Sequence, residues 1–213
     1  MSWNWIISRI ARQFGIDINS LLFHFLYREI AKSLYDNVEV EKVPEIMFEI
    51  GGKASLDSAE RHPTIFKFVS PGTGKEILKY IKMLWYTVFG TDMEYEIIND
   101  DFEDSDYLDL YIDNCPICQG YYSEDEDISR DKMEEIFGKS GYACLLIGMM
   151  TSVGNFMLEM KDIPYTMEIQ ETECQALGAE RMRIRATLHP KEKTDVESEK
   201  EYQPESKAEE EPV

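Results

Sequence analysis

Basic residues are scarce in this chain: 22 Lys and Arg stand against 42 Asp and Glu across 213 residues, for a formal charge of −20. A phosphate backbone is gripped by clustered cations, so the deficit argues against nucleic acid as a direct partner and against an anionic membrane surface. The acidity is not confined to one end. Lys191–Val213 holds 9 acidic and 4 basic residues, a net of −5, which leaves −15 on the remainder. Clean hydrophobic runs are missing as well: Gly141–Leu158 spans 18 residues but is interrupted by Ser, Thr and Asn, so it reads as a buried helix and integral membrane association is not expected. Arg9 and Arg12 break the apolar start where an export signal would need it uncharged. There are only four cysteines, unevenly spaced. Without export they point to a reducing, cytoplasmic setting, where thiols bind metals or cycle in redox chemistry more often than they form disulfides.

Catalytic signatures are equally thin. Ser70–Glu76 contains Gly72-Thr73-Gly74-Lys75, yet Val69 stands where a phosphate loop needs its first glycine and Glu76 where it needs Ser or Thr. No activated serine and no Cys–His pairing is placed by motif, and the acidic run Asp100–Asp106 reads as a solvated loop. His24, His62 and His189 read as packing or surface residues, with His189 a distant candidate to replace one cysteine ligand. An enzyme is not expected.

What is present is a globular composition, 43% apolar and 12% aromatic. Trp3, Ile6, Ile7 and Ile10 share one face of a first helix; Leu22, Leu26, Ile30 and Leu34 form a stripe on a second. Gly51-Gly52 predicts a turn, followed by a short helix over Ser55–Arg61. Thr73 and Glu76 make a capping box before Ile77, Ile81, Leu84 and Val88, with Gly90 as the stop. Four segments alternate as half-buried strands: Met93–Ile98, Tyr107–Asp113, Tyr165–Thr172 and Arg181–Leu188. In the last, Arg181, Arg183 and Arg185 share a face and are expected to pair with acids across the strands. Between the strand pairs lie helices over Ser129–Phe137 and about Ser140–Met160. The order predicts an α+β fold, an antiparallel sheet of about four strands with helices on one side, followed by a disordered acidic tail over 190–213.

Each cysteine falls at the end of an element. Cys115 and Cys118 follow the second strand with the two-residue spacing that aims two thiolates at one tetrahedral ion; Cys144 opens the central helix, whose amino terminus favours a thiolate; Cys174 follows the third strand. Their convergence would make a closed, structural zinc site. A redox-active Cys115/Cys118 pair and four merely structural thiols are the alternatives.

The stretches Asn114-Cys-Pro-Ile-Cys118, Gly141–Gly154 and Glu171–Met182 resemble the 4-vinyl reductase or hydrocarbon-binding domain family, related in fold to transport-particle subunits and haem nitric oxide sensor domains. The resemblance implies a domain over 43–189, preceded by helices over 1–42 that serve core or dimer contact. It also implies a homodimer, a zinc site and a pocket for a small apolar or aromatic molecule. Ala179 and Met182 stand where the family usually has Asp and a second Cys, so a full metal set needs Cys115, Cys118, Cys144 and Cys174 together. Trp85, Tyr86, Phe89, Met149, Met150, Phe156 and Met157 are the candidate pocket lining, with plain core packing as the competing reading. A regulatory small-molecule sensor follows from this likeness; an assembly protein without a small ligand and a thiol redox sensor are the alternatives.

Overall fold

The computed structural model describes residues 20–62, 72–113, 115–118 and 130–191, with the side chains of 20–24 and 130 outside the description. The expectations for the first helix and the acidic tail fall outside these residues. Five α-helices and four strands follow in order: α1 (Ser20–Asn37), α2 (Val43–Arg61), α3 (Gly74–Phe89), β1 (Tyr95–Ile97), β2 (Tyr107–Ile112), α4 (Arg130–Phe137), α5 (Cys144–Met160), β3 (Tyr165–Glu173) and β4 (Met182–Pro190). No helix among the described residues is long and apolar enough to cross a membrane.

The strands form one antiparallel sheet in the order β1-β2-β4-β3, so β3 is an edge. Alternation decides its two faces. Leu108, Leu110 and Ile112 of β2, Met182, Ile184, Ala186 and Leu188 of β4, and Met167 and Ile169 of β3 are buried on the inner face. The other face carries the arginines. Arg183 donates to Asp109 at 3.0 and 2.8 Å and to Glu173 at 3.0 Å, Arg185 reaches Asp109 at 2.5 Å, and Arg181 pairs with Glu96. The expected cross-strand pairing therefore forms, with β2 supplying the central acid.

The helical layer corrects one expectation outright. Gly51-Gly52 is not a turn; it lies inside α2, which runs unbroken from Val43 to Arg61. The glycines are there for contact. A Cβ on Gly51 would sit 2.0 Å from the Leu145 carbonyl oxygen of α5, and one on Gly148 of α5 would sit 2.1 Å from the Phe48 carbonyl oxygen of α2. The two helices thus cross backbone to backbone, and the glycines are required by proximity rather than by φ.

Helix α3 keeps its expected face, with Ile77, Ile81 and Leu84 buried and Gly90 closing the helix at φ 69°. Its start differs: Thr73 makes no side-chain cap, and Glu76 pairs instead with Lys79 at 2.6 Å. On α1 the buried stripe is Tyr27 and Ala31, with Leu34 packed against the core, while Leu26 is 55% exposed. Tyr27 sets that rotation, because its hydroxyl is held at the amino terminus of α5.

Candidate metal centre and adjoining cleft

Cys115 and Cys118 lie in the turn after β2, closed by the Cys118 amide donating to the Cys115 carbonyl at 3.1 Å. The Cys115 amide in turn donates to the Gln175 side chain at 3.0 Å, which ties this turn to the segment after β3. That segment begins with Cys174. Two residues of β3 behind it the sheet register slips between Glu171 and Glu173, so Glu171 closes the regular part of the strand on the inner face.

The outcome is a buried cluster. Donor atoms of Cys118, Glu171 and Cys174 lie within 4.8 Å of one another. Cys115 stands beside it through a thiol hydrogen bond with Cys118. Cys144 is not part of the mutually close group: its Sγ lies 3.7 Å from the Tyr27 hydroxyl and 3.8 Å from the Tyr142 carbonyl oxygen. The reason is the start of α5. Cys144 is the helix's first residue and its side chain turns toward α1, whereas the preceding backbone turns its amides toward the cluster.

Those amides define the electrostatics. The Tyr142 amide donates to Cys174 Sγ at 3.3 Å, and the Ala143 amide donates to Glu171 Oε2 at 2.7 Å. Gly141 makes this approach possible, since its φ is +73° and a Cβ there would lie 2.1 Å from Glu171 Oε2. A helix amino terminus thus faces two groups that are anionic when ionised.

The ionisation states follow the surroundings. The hydrogen bond from Cys118, opposed by burial and aided by the Tyr142 amide, brings the Cys174 thiol down to about 6. Hydrogen bonding to Cys115 and Cys174, with burial, pushes Cys118 well up. Burial, then repulsion from Cys174 and Cys115, raises Glu171 well above the carboxylate range. Cys144 goes against the expectation of an activated thiol: burial pushes it up to about 12 despite the Tyr27 hydrogen bond.

Among the described residues Glu171 Oε1, though buried, has no partner in hydrogen-bond geometry, and the Cys174 thiol is the group that stands beside the carboxyl. An orphaned carboxylate oxygen beside two cysteines is costly unless something positive meets it. The donor set, two sulfurs and a carboxylate, suits zinc.

Alongside the cluster runs a cleft of about 670 Å³. Cys144, Ile147 and Thr151 of α5, Pro44 and Phe48 of α2, and residues 168–172 of β3 line it, and Cys174 opens onto it. None of the seven residues expected to line a pocket does so here. Trp85, Phe89, Met150 and Met157 are buried core, the Trp85 and Phe89 rings 4.7 Å apart, while Tyr86, Met149 and Phe156 are half-buried.

No protein-family model and no curated protein matches the chain. Solved structures do. One is a trafficking protein particle complex subunit 3 from Naegleria fowleri covalently bound to palmitic acid, 17% identical, covering 81% of this chain and 96% of that one at a TM-score of 0.53. Another is the phenol-responsive sensory domain of the transcription activator PoxR with phenol, 18% identical over 89% of this chain and 84% of that one, at a TM-score of 0.48. The first likeness is one of fold, and it agrees with the α+β architecture described above.

Proposed function

We propose that this chain is a binding domain of regulatory or assembly type, whose ligand enters the cleft beside α5 and whose core is pinned by one structural zinc ion. The observation that carries the reading is the buried trio Cys118, Glu171 and Cys174, with an unpartnered Glu171 oxygen within it. Cys115 is the nearest further thiol to complete a four-donor site, through its contact with Cys118. When bound, zinc supplies positive charge and a rigid link; the chain's own residues do the rest. Cys118 fixes the end of β2, Glu171 and Cys174 fix the end of β3, and the Tyr142 and Ala143 amides bring α5 to the same point. An ion held there would tie β3 and the start of α5, both of which line the cleft, to the turn after β2. A closed site of buried donors has a structural role rather than a catalytic one.

The cleft volume falls within the range of ligand sites, and Pro44, Phe48, Ile147, Ile169 and Leu177 give it apolar walls. That supports a ligand site, in the small-molecule sense of the 4-vinyl reductase resemblance. An assembly role is favoured by a different observation, the fold shared with a trafficking complex subunit over 96% of that subunit.

Elemental analysis of protein purified without added metal tests the reading. One zinc per chain in the native protein, lost in Cys118→Ser and Cys174→Ser, is the expected result. A metal-free native protein that melts at the same temperature with and without added zinc would overturn it.

A further inference from the structure

Residues Glu168, Ile169, Gln170, Glu171 and Thr172 all line the cleft, although successive side chains of a strand point to opposite faces. Only the backbone edge is common to all five. The cleft therefore opens on the edge of β3 that no other described strand pairs with.

Hydrogen bonding along that edge is uneven. Asn155 of α5 covers the first part: its Oδ1 accepts from the Met167 amide at 2.8 Å and its Nδ2 donates to the Met167 carbonyl at 2.8 Å, as a neighbouring strand would. Met167 thus points its backbone groups outward. Its cross-strand partner Leu188 agrees, since the Leu188 amide donates away from β3 to the Asp106 carbonyl at 2.7 Å. By the two-residue period, the amide and carbonyl of Ile169, and then of Glu171, point the same way, into the cleft. Among the described residues no neighbouring element pairs with the Ile169 backbone.

From this placement we infer that the cleft takes an extended peptide segment of a partner protein, which adds to β3 as a further strand; the inference rests on the binding role proposed above and names its ligand class. Apolar side chains of such a segment meet Phe48 and Ile147 on one side of the added strand. Charge selects its remaining residues. Glu41, in the turn before α2, and Glu45, in its first turn, stand exposed on one rim, and Glu168 stands on the β3 rim where it pairs with His189; among the described residues Lys139 is the one lining cation. The rim is therefore acidic, and it favours Lys or Arg next to the apolar anchor. This is strand addition, in which main-chain hydrogen bonds supply affinity and alternate side chains supply specificity.

Hydrogen exchange by NMR on the full chain tests it, with a short synthetic peptide alternating Val and Lys as the probe. The Ile169 and Glu171 amides exchange freely in the unliganded protein, and peptide at about ten times its Kd slows them about tenfold. The same peptide N-methylated at alternate residues, or with Glu in place of Lys, gives no protection. Glu41→Lys with Glu45→Lys, both on the exposed rim, weakens the Lys peptide about fivefold.

Three results overturn the inference: an Ile169 amide already protected in the free protein, N-methylated peptide binding as well as the parent, or protection by phenol but by none of the peptides. The last assigns the cleft to a small molecule. Zinc content measured on the same sample separates the two readings. A zinc-loaded protein blind to peptides sinks this inference alone, and a metal-free protein that binds them sinks only the metal site.

Discussion

The Ala143 amide lies 2.7 Å from Glu171 Oε2, so the start of the buried helix α5 is tied to the edge strand through a carboxylate. The two oxygens of Glu171 differ: Oε2 holds the helix, and Oε1 has no partner in hydrogen-bond geometry among the described residues. The substitution Glu171→Gln separates them, because the amide oxygen still accepts from Ala143 while the negative charge is lost. Zinc affinity is expected to fall by at least about tenfold, the scale of weakened metal surroundings. Competition against a chromophoric chelator measures this, with far-ultraviolet circular dichroism showing an unchanged fold. Wild-type affinity in the variant would remove Glu171 from the site.

Cys144 gives the complementary case. Its thiol faces Tyr27 and stands apart from the Cys118, Glu171 and Cys174 group, and burial pushes it up to about 12. Cys144→Ala is therefore expected to keep full zinc stoichiometry and to react no differently with thiol reagents at neutral pH. Loss of the metal in this variant, measured by elemental analysis, would return Cys144 to the ligand set.

The four strands were legible because their alternation survives in the packing: Met182, Ile184, Ala186 and Leu188 are inward, and Arg183 and Arg185 outward. The proposed metal site was half legible. Cys118 and Cys174 announce themselves by type, but Glu171 sits in a strand among ordinary acids. Its signal was phase: it continues the inward series Met167, Ile169, where an acid has no business without a partner. The α2–α5 crossing was not legible, since a glycine pair marks a turn and a close helix contact equally well, and only the partner helix decides. The seven residues named for a pocket carry a related ambiguity. Met and aromatic side chains at helical spacing fill a core as readily as they line a cavity, and the cleft formed instead at the backbone edge of β3, which side-chain patterns do not reveal.

That crossing yields a stability prediction. Gly51→Ala and Gly148→Ala each force a methyl group against a carbonyl oxygen at about 2 Å, with backbone on both sides and no flexible side chain to yield. Overpacking of this kind costs about 1–3 kcal/mol. For a domain of this size each kcal/mol lowers the melting temperature by roughly 2–4 °C. Thermal unfolding followed by circular dichroism checks it. Gly72→Ala is the control, because there a Cβ meets only Glu76 side-chain carbons at 3.5 and 3.6 Å.

Asp109 supplies the pH dependence. Burial favours its neutral acid, but hydrogen bonds from Arg183 and Arg185 prevail and hold the carboxyl below its usual range. A carboxylate whose folded pKa is depressed contributes stability that is fully present above the unfolded value and is lost as pH falls through the folded one. Asp109→Asn removes the charge and leaves two guanidinium groups facing a neutral amide, a loss of roughly 3 kcal/mol for a buried partner. Urea unfolding of both proteins across pH is the measurement. The gap between them is expected to hold constant from neutral pH down to about pH 5, then to shrink as acid protonates Asp109 in the wild type. A gap that instead widens on acidification would mean that Asp109 is not the group that anchors the arginine row.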